Sequence, residues 1–139
     1  MLKTTLLHPE ILYALGAAGH GSKVLISDGN YPHTTGSNPA AEKVFLNLAP
    51  GVLNVTEVLR VLAQAIPIEA VHVMQTADGS EPPIWEDFRS LLPEQRLTPL
   101  ERFAFYHAAS TSDVALVIAT GEQRIYANIL LTIGVVMPE

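Results

Sequence analysis

The feature that most constrains this chain is a series of short apolar, partly β-branched runs separated by stretches of helical period. KVLISD at 23–28, VFLNL at 44–48, AVHVMQ at 70–75, DVALVIAT at 113–120 and IYANILLTIGVVM at 125–137 read as strands, the last supplying one or two. Between them, HPEILYALGAA at 8–18 carries proline near the first turn and apolar residues at helical spacing, and reads as a short helix stopped by glycine. Asn54 followed by Glu57 has the form of a capping box opening VTEVLRVLAQAI, which Pro67 closes. IWEDFRSLL is a helix ended by Pro93, and PLERFAFYHAA at 99–109 reads as a helix with Pro99 in its first turn. Strands alternating with helices, and strands apolar on both sides, predict an α/β domain with a mostly buried sheet.

Length and composition narrow this further. With 139 residues and 48% hydrophobic content, residues 1–139 are expected to form one compact domain. Only 16% of residues are charged, which predicts that some surface is covered in a homo-oligomer. The net charge is −6 and the eight Lys and Arg residues are spread singly, so no basic stripe is available to neutralise nucleic-acid phosphates. The chain has no cysteine, which removes disulfides and thiolate metal sites. MLKTTLLHPE lacks the apolar core and cleavage site of a secretory leader, and no run is long enough to span a bilayer, so a cytoplasmic protein without membrane attachment is expected.

In layered α/β proteins ligands bind beyond the carboxyl ends of strands, which directs attention to polar residues at strand exits. Asp28 ends the first strand, and His20 sits between Gly19 and Gly21, where small neighbours free its imidazole to project. The plainer reading makes Gly19 a helix stop, His20 a loop residue and Asp28 a turn former. Arg102 and Tyr106 are spaced to share a helix face, and Tyr126 and Asn128 point the same way if their segment is extended. A phenol and an amide on one face can serve a polyhydroxylated ligand, or can be a core aromatic and a strand-edge amide. The five histidines include no HxH or HExxH pair, and neither a GxSxG elbow nor a phosphate-binding glycine loop is present. No metal and no cofactor is therefore expected.

Taken together, MLKT, PEIL, GHG at 19–21, SD at 27–28, RFAFY at 102–106, TGE at 120–122 and YANILL at 126–131 resemble the sugar mutarotase family of D-ribose pyranase and L-fucose mutarotase. The likeness runs over nearly the whole chain, more loosely from 36 to 98. RFAFY is similar to the fucose branch, whereas the ribose branch has a His and a Lys four apart in that region. The resemblance implies a three-layer α/β/α fold, a ring-like decamer and a cofactor-free isomerase that interconverts the α and β anomers of a monosaccharide, L-fucose first. It further implies His20 as the catalytic proton donor and Asp28, Arg102, Tyr126, Ala127 and Asn128 as substrate-binding positions, Ala127 through its backbone. Ribose pyranase activity, a non-catalytic sugar-binding or transport-accessory role and a metal-dependent hydrolase are the competing readings.

Overall fold

The computed structural model describes residues 1–139 and contains four helices and six strands. In chain order these are α1 (Pro9–Ala17), β1 (Lys23–Ser27), β2 (Glu42–Phe45), α2 (Val55–Ala65), β3 (Ile68–Met74), α3 (Ile84–Leu91), β4 (Leu97–Leu100), α4 (Arg102–Ala109), β5 (Val114–Ala119) and β6 (Ile129–Ile133). The strands form one sheet in the order β2-β5-β1-β6-β3-β4. β6 runs antiparallel to β1 and β3, and the other pairings are parallel.

Continuous apolar runs reflect a sheet covered on both faces, as in the wholly buried β6. Val24, Ile26, Val71, Leu116, Ile129 and Leu131 point into the larger core, where Ile11 of α1, Leu59 and Leu62 of α2 and Phe88 of α3 meet them. Leu25, Met74, Val117 and Leu130 point the other way, against Phe105 and Ala109 of α4 and Tyr31 of the loop after β1. The architecture is thus the expected α/β/α sandwich, with α1, α2 and α3 on one face and α4 on the other.

Local signals account for most element boundaries. The main-chain N–H of Asn54 donates to the Glu57 carboxylate at 3.1 Å, the reciprocal arm of the predicted capping box. Gly16 lies within α1, which ends at Ala17, so glycine does not itself stop that helix. The largest departure is at 97–100, where the chain forms strand β4 rather than the start of a helix. Pro99 pairs with Val73 at the edge of the sheet, a place where the missing N–H leaves no ladder bond unmade. α4 then starts at Arg102, capped by Glu101, whose carboxylate accepts from the Ala104 N–H at 2.7 Å. No helix is long and apolar enough to cross a membrane.

Candidate functional site

Because β1, β3 and β4 run parallel and β6 runs against them, Asp28, Met74, the start of α4 and Asn128 all fall at one edge of the sheet. They surround a cavity of about 260 Å³ lined also by Asn30, Tyr31, Arg102, Tyr106, Ile125 and Tyr126. A larger hollow of about 470 Å³ shares Asn30 with it. Its one carboxylate, Glu122, is already held by Arg124, with Nε at 3.0 Å from Oε1 and Nη2 at 3.1 Å from Oε2, so the smaller cavity is the better candidate.

Asp28 is 2% exposed and forms the floor of the cavity. Its Oδ1 accepts from the Asn30 N–H at 3.0 Å and its Oδ2 from the Ala127 N–H at 3.2 Å. Burial pushes this carboxyl above the usual carboxylate range, against the opposing pull of those main-chain donors. Its own N–H donates to Oδ1 of Asn128 at 2.8 Å, while Nδ2 of Asn128 faces the Met74 sulfur at 3.8 Å. Asn128 therefore fixes Asp28 in place while its amide keeps a second N–H and a second lone pair at the cavity wall.

Arg102 and Tyr106 lie one turn apart on α4, with the guanidinium carbon 5.9 Å from the Tyr106 ring centre and 4.6 Å from that of Phe103. Tyr106 packs edge-on to Tyr31 at 5.3 Å, and Tyr31 edge-on to buried Phe105 at 6.1 Å, giving the cavity an aromatic wall anchored in the core. The Tyr31 hydroxyl donates to the Gly36 carbonyl at 2.6 Å, and burial raises the phenol's pKa. Tyr126 is not extended: its φ of 59° is left-handed, so it reaches the cavity by a turn of the backbone rather than by strand alternation with Asn128.

The structure thus brings together Asp28, Arg102, Tyr126, Asn128 and the Ala127 N–H, and does not bring His20 to them. His20 occupies a tight turn in which the Ser22 N–H donates to the Gly19 carbonyl at 3.0 Å and Gly21 takes a φ of +86°. That turn precedes β1, whereas Asp28 follows it, and five strand residues separate the two by about 16 Å. The His20 side chain is 59% exposed, and its Nε2 lies 2.9 Å from the Glu69 carboxylate of β3. Tyr106 lines the cavity together with Arg102, the residue its spacing paired it with, and Tyr31 joins them; sequence reasoning missed Met74, which ends a strand and carried no polar cue. His33 is taken by Ser27, whose Oγ lies 2.8 Å from Nδ1. No three His, Asp or Glu side chains lie close enough together to hold a metal ion.

The model of the RbsD / FucU transport protein family matches residues 1–136. A fucose mutarotase from Danio rerio is 31% identical over 148 residues, covering 97% of this chain and 93% of its own. A D-ribose pyranase from Variovorax paradoxus is 33% identical, covering 97% and 98% respectively. The crystal structure of a fucose mutarotase in complex with L-fucose from Streptococcus pneumoniae superposes with a TM-score of 0.84 at 26% identity, covering 99% of this chain and 100% of that one. With nearly its full length matched in both sequence and fold, the chain belongs to the RbsD / FucU transport protein family.

Proposed function

We propose that this protein is a sugar mutarotase, an isomerase acting on the anomers of a reducing monosaccharide, with L-fucose as its substrate. The observation that carries the reading is a buried carboxylate, Asp28, beside Arg102, Tyr106 and Tyr126 in a cavity of about 260 Å³, a space suited to one sugar ring. Curated relatives along the full chain are named fucose mutarotase and D-ribose pyranase, and both names describe interconversion of sugar forms. RFAFY at 102–106 resembles the fucose branch and so supports fucose ahead of ribose.

Anomer exchange opens the ring by removing a proton from the anomeric hydroxyl while delivering one to the ring oxygen, and closes it on the other face of the aldehyde. Asp28 and the Arg102 guanidinium bind and orient hydroxyls, and Tyr106 and Tyr126 supply phenolic donors at the rim. His20 is the proton donor. A donor works over about 3 Å, so a His20 at the far end of β1 cannot serve the cavity of its own chain. It serves the cavity of a second copy, whose Asp28 end meets the first copy's His20 end. Head-to-tail contacts whose rotation closes make a ring, the form of assembly that the resemblance implies as a decamer. Glu69, accepting from the Nε2–H, holds the ring so that Nδ1 faces the sugar; Nδ1 gives its proton from the doubly protonated ring and takes one back when the ring is neutral.

The test is proton NMR saturation transfer between the anomeric signals of L-fucose, then D-ribose, with the wild-type protein and His20→Ala. Transfer with wild type alone supports the reading, and the sugar with the faster exchange is the substrate. Binding of either sugar without protein-dependent exchange would leave a non-catalytic sugar-binding protein in its place.

A further inference from the structure

The loop between β5 and β6 delivers Tyr126 and the Ala127 N–H to the cavity, yet nothing in those two residues explains how the loop holds its shape. The left-handed backbone of Tyr126 persists only if its surroundings impose it. Glu122 and Arg124, earlier in the loop, make the polar contacts that tie it to the rest of the chain. Glu122, 3% exposed, accepts from Arg124 through the main-chain N–H at 3.2 Å, Nε at 3.0 Å and Nη2 at 3.1 Å. The remaining arm of the guanidinium, Nη1, donates to the Asp87 carboxylate of α3 at 2.7 Å. The Glu122 carbonyl also accepts from the N–H of Gly29, the residue after Asp28, at 2.9 Å.

We propose that Glu122 and Arg124 form a clamp that positions Tyr126 and Ala127 against Asp28, so that this ion pair, remote from the sugar, sets the geometry of the sugar-binding carboxylate. The clamp works by fixing both walls at once. One end of Glu122 holds the strand exit through Gly29, and the other holds the loop through the fork of Arg124, which α3 anchors from outside. Both are positioning residues, since neither lines the candidate cavity. The inference rests on the mutarotase reading for its catalytic consequence, and on the structure alone for its geometric one.

Arg124→Met removes the fork at a side chain that is 41% exposed. Because it leaves a buried carboxylate unpaired, the double variant Glu122→Gln/Arg124→Met supplies a neutral second case that removes that burial penalty. The Ala127 amide is expected to exchange its hydrogen about tenfold faster in both variants, with Leu130 in β6 unchanged. For the active protein, KM for the sugar is expected to rise about tenfold, and Arg124→Lys, which restores charge without the bidentate fork, is expected not to rescue it. If Arg124→Met fails to fold, the double variant decides. Unchanged Ala127 exchange and unchanged KM in a folded variant of an active protein would overturn the clamp. Accelerated Ala127 exchange in a protein that exchanges no sugar would uphold the clamp's geometry and refute the mutarotase reading instead.

Discussion

Two inactive variants, combined, test whether one site is assembled from two copies. His20→Ala and Arg102→Ala both alter exposed side chains at opposite ends of the sheet, so both variants are expected to fold. Loss of the general acid is worth about 10²- to 10⁴-fold in rate. Loss of a charged hydrogen-bonding partner, at about 1.5 to 3 kcal/mol, is worth roughly 10- to 150-fold. Each variant alone is therefore slow. When the two are co-expressed in equal amounts, half of the cavities keep Arg102, and half of the histidines that face them are intact. Random head-to-tail assembly then makes about one site in four complete, so the mixture is expected to recover about a quarter of wild-type exchange. The assay is saturation transfer on the purified mixed oligomer, with its composition verified by mass spectrometry. A site confined to one chain predicts no recovery at all, because every chain carries a lesion. Activity of the mixed oligomer at the level of the separate variants would refute the reasoning from the length of β1.

Other consequences follow from packing and charge. Phe105 is fully buried behind Tyr31, so Phe105→Ala is expected to cost about 3 to 5 kcal/mol in urea unfolding and to loosen the aromatic wall of the cavity; a loss under 1 kcal/mol would show that the wall does not depend on it. A Cβ at Gly121 would lie 2.4 Å from the Ala49 carbonyl oxygen and 2.5 Å from that of Val52, so Gly121→Ala is expected to destabilise the fold by more than about 2 kcal/mol, measured as a fall in thermal midpoint. Burial works to raise the Glu122 carboxyl, but the Arg124 guanidinium and main-chain donors outweigh it and hold it below its ordinary value of 4.5. The unfolded state then binds the proton first, so this contribution to stability is complete above about pH 4.5 and is lost as pH falls through the lower folded value. Urea midpoints between pH 6 and pH 3 should fall more steeply for wild type than for Glu122→Gln, and parallel curves would contradict the assignment.

Much of this molecule was legible residue by residue. The apolar runs marked five of the six strands, most plainly β1, β5 and β6, where burial on both faces leaves no polar alternation to misread. The capping pair at Asn54 and Glu57 and the strand exit at Asp28 are local events, set by residues a few positions apart. Pro99 misled because an edge position is a property of the finished sheet, invisible in the proline itself. Tyr126 misled because its left-handed backbone, which turns the chain so that the next N–H meets the Asp28 carboxylate, has no glycine to announce it. His20 and Asp28 were recognisable as candidates from their turns and from the resemblance, and the strand predicted between them already set them at its two ends. What only the tertiary structure decided is the company each end keeps: Arg102, Tyr106 and Tyr126 come to Asp28 and Glu69 to His20, because the order of strands in the sheet, not the order of residues in the chain, sets which loops meet.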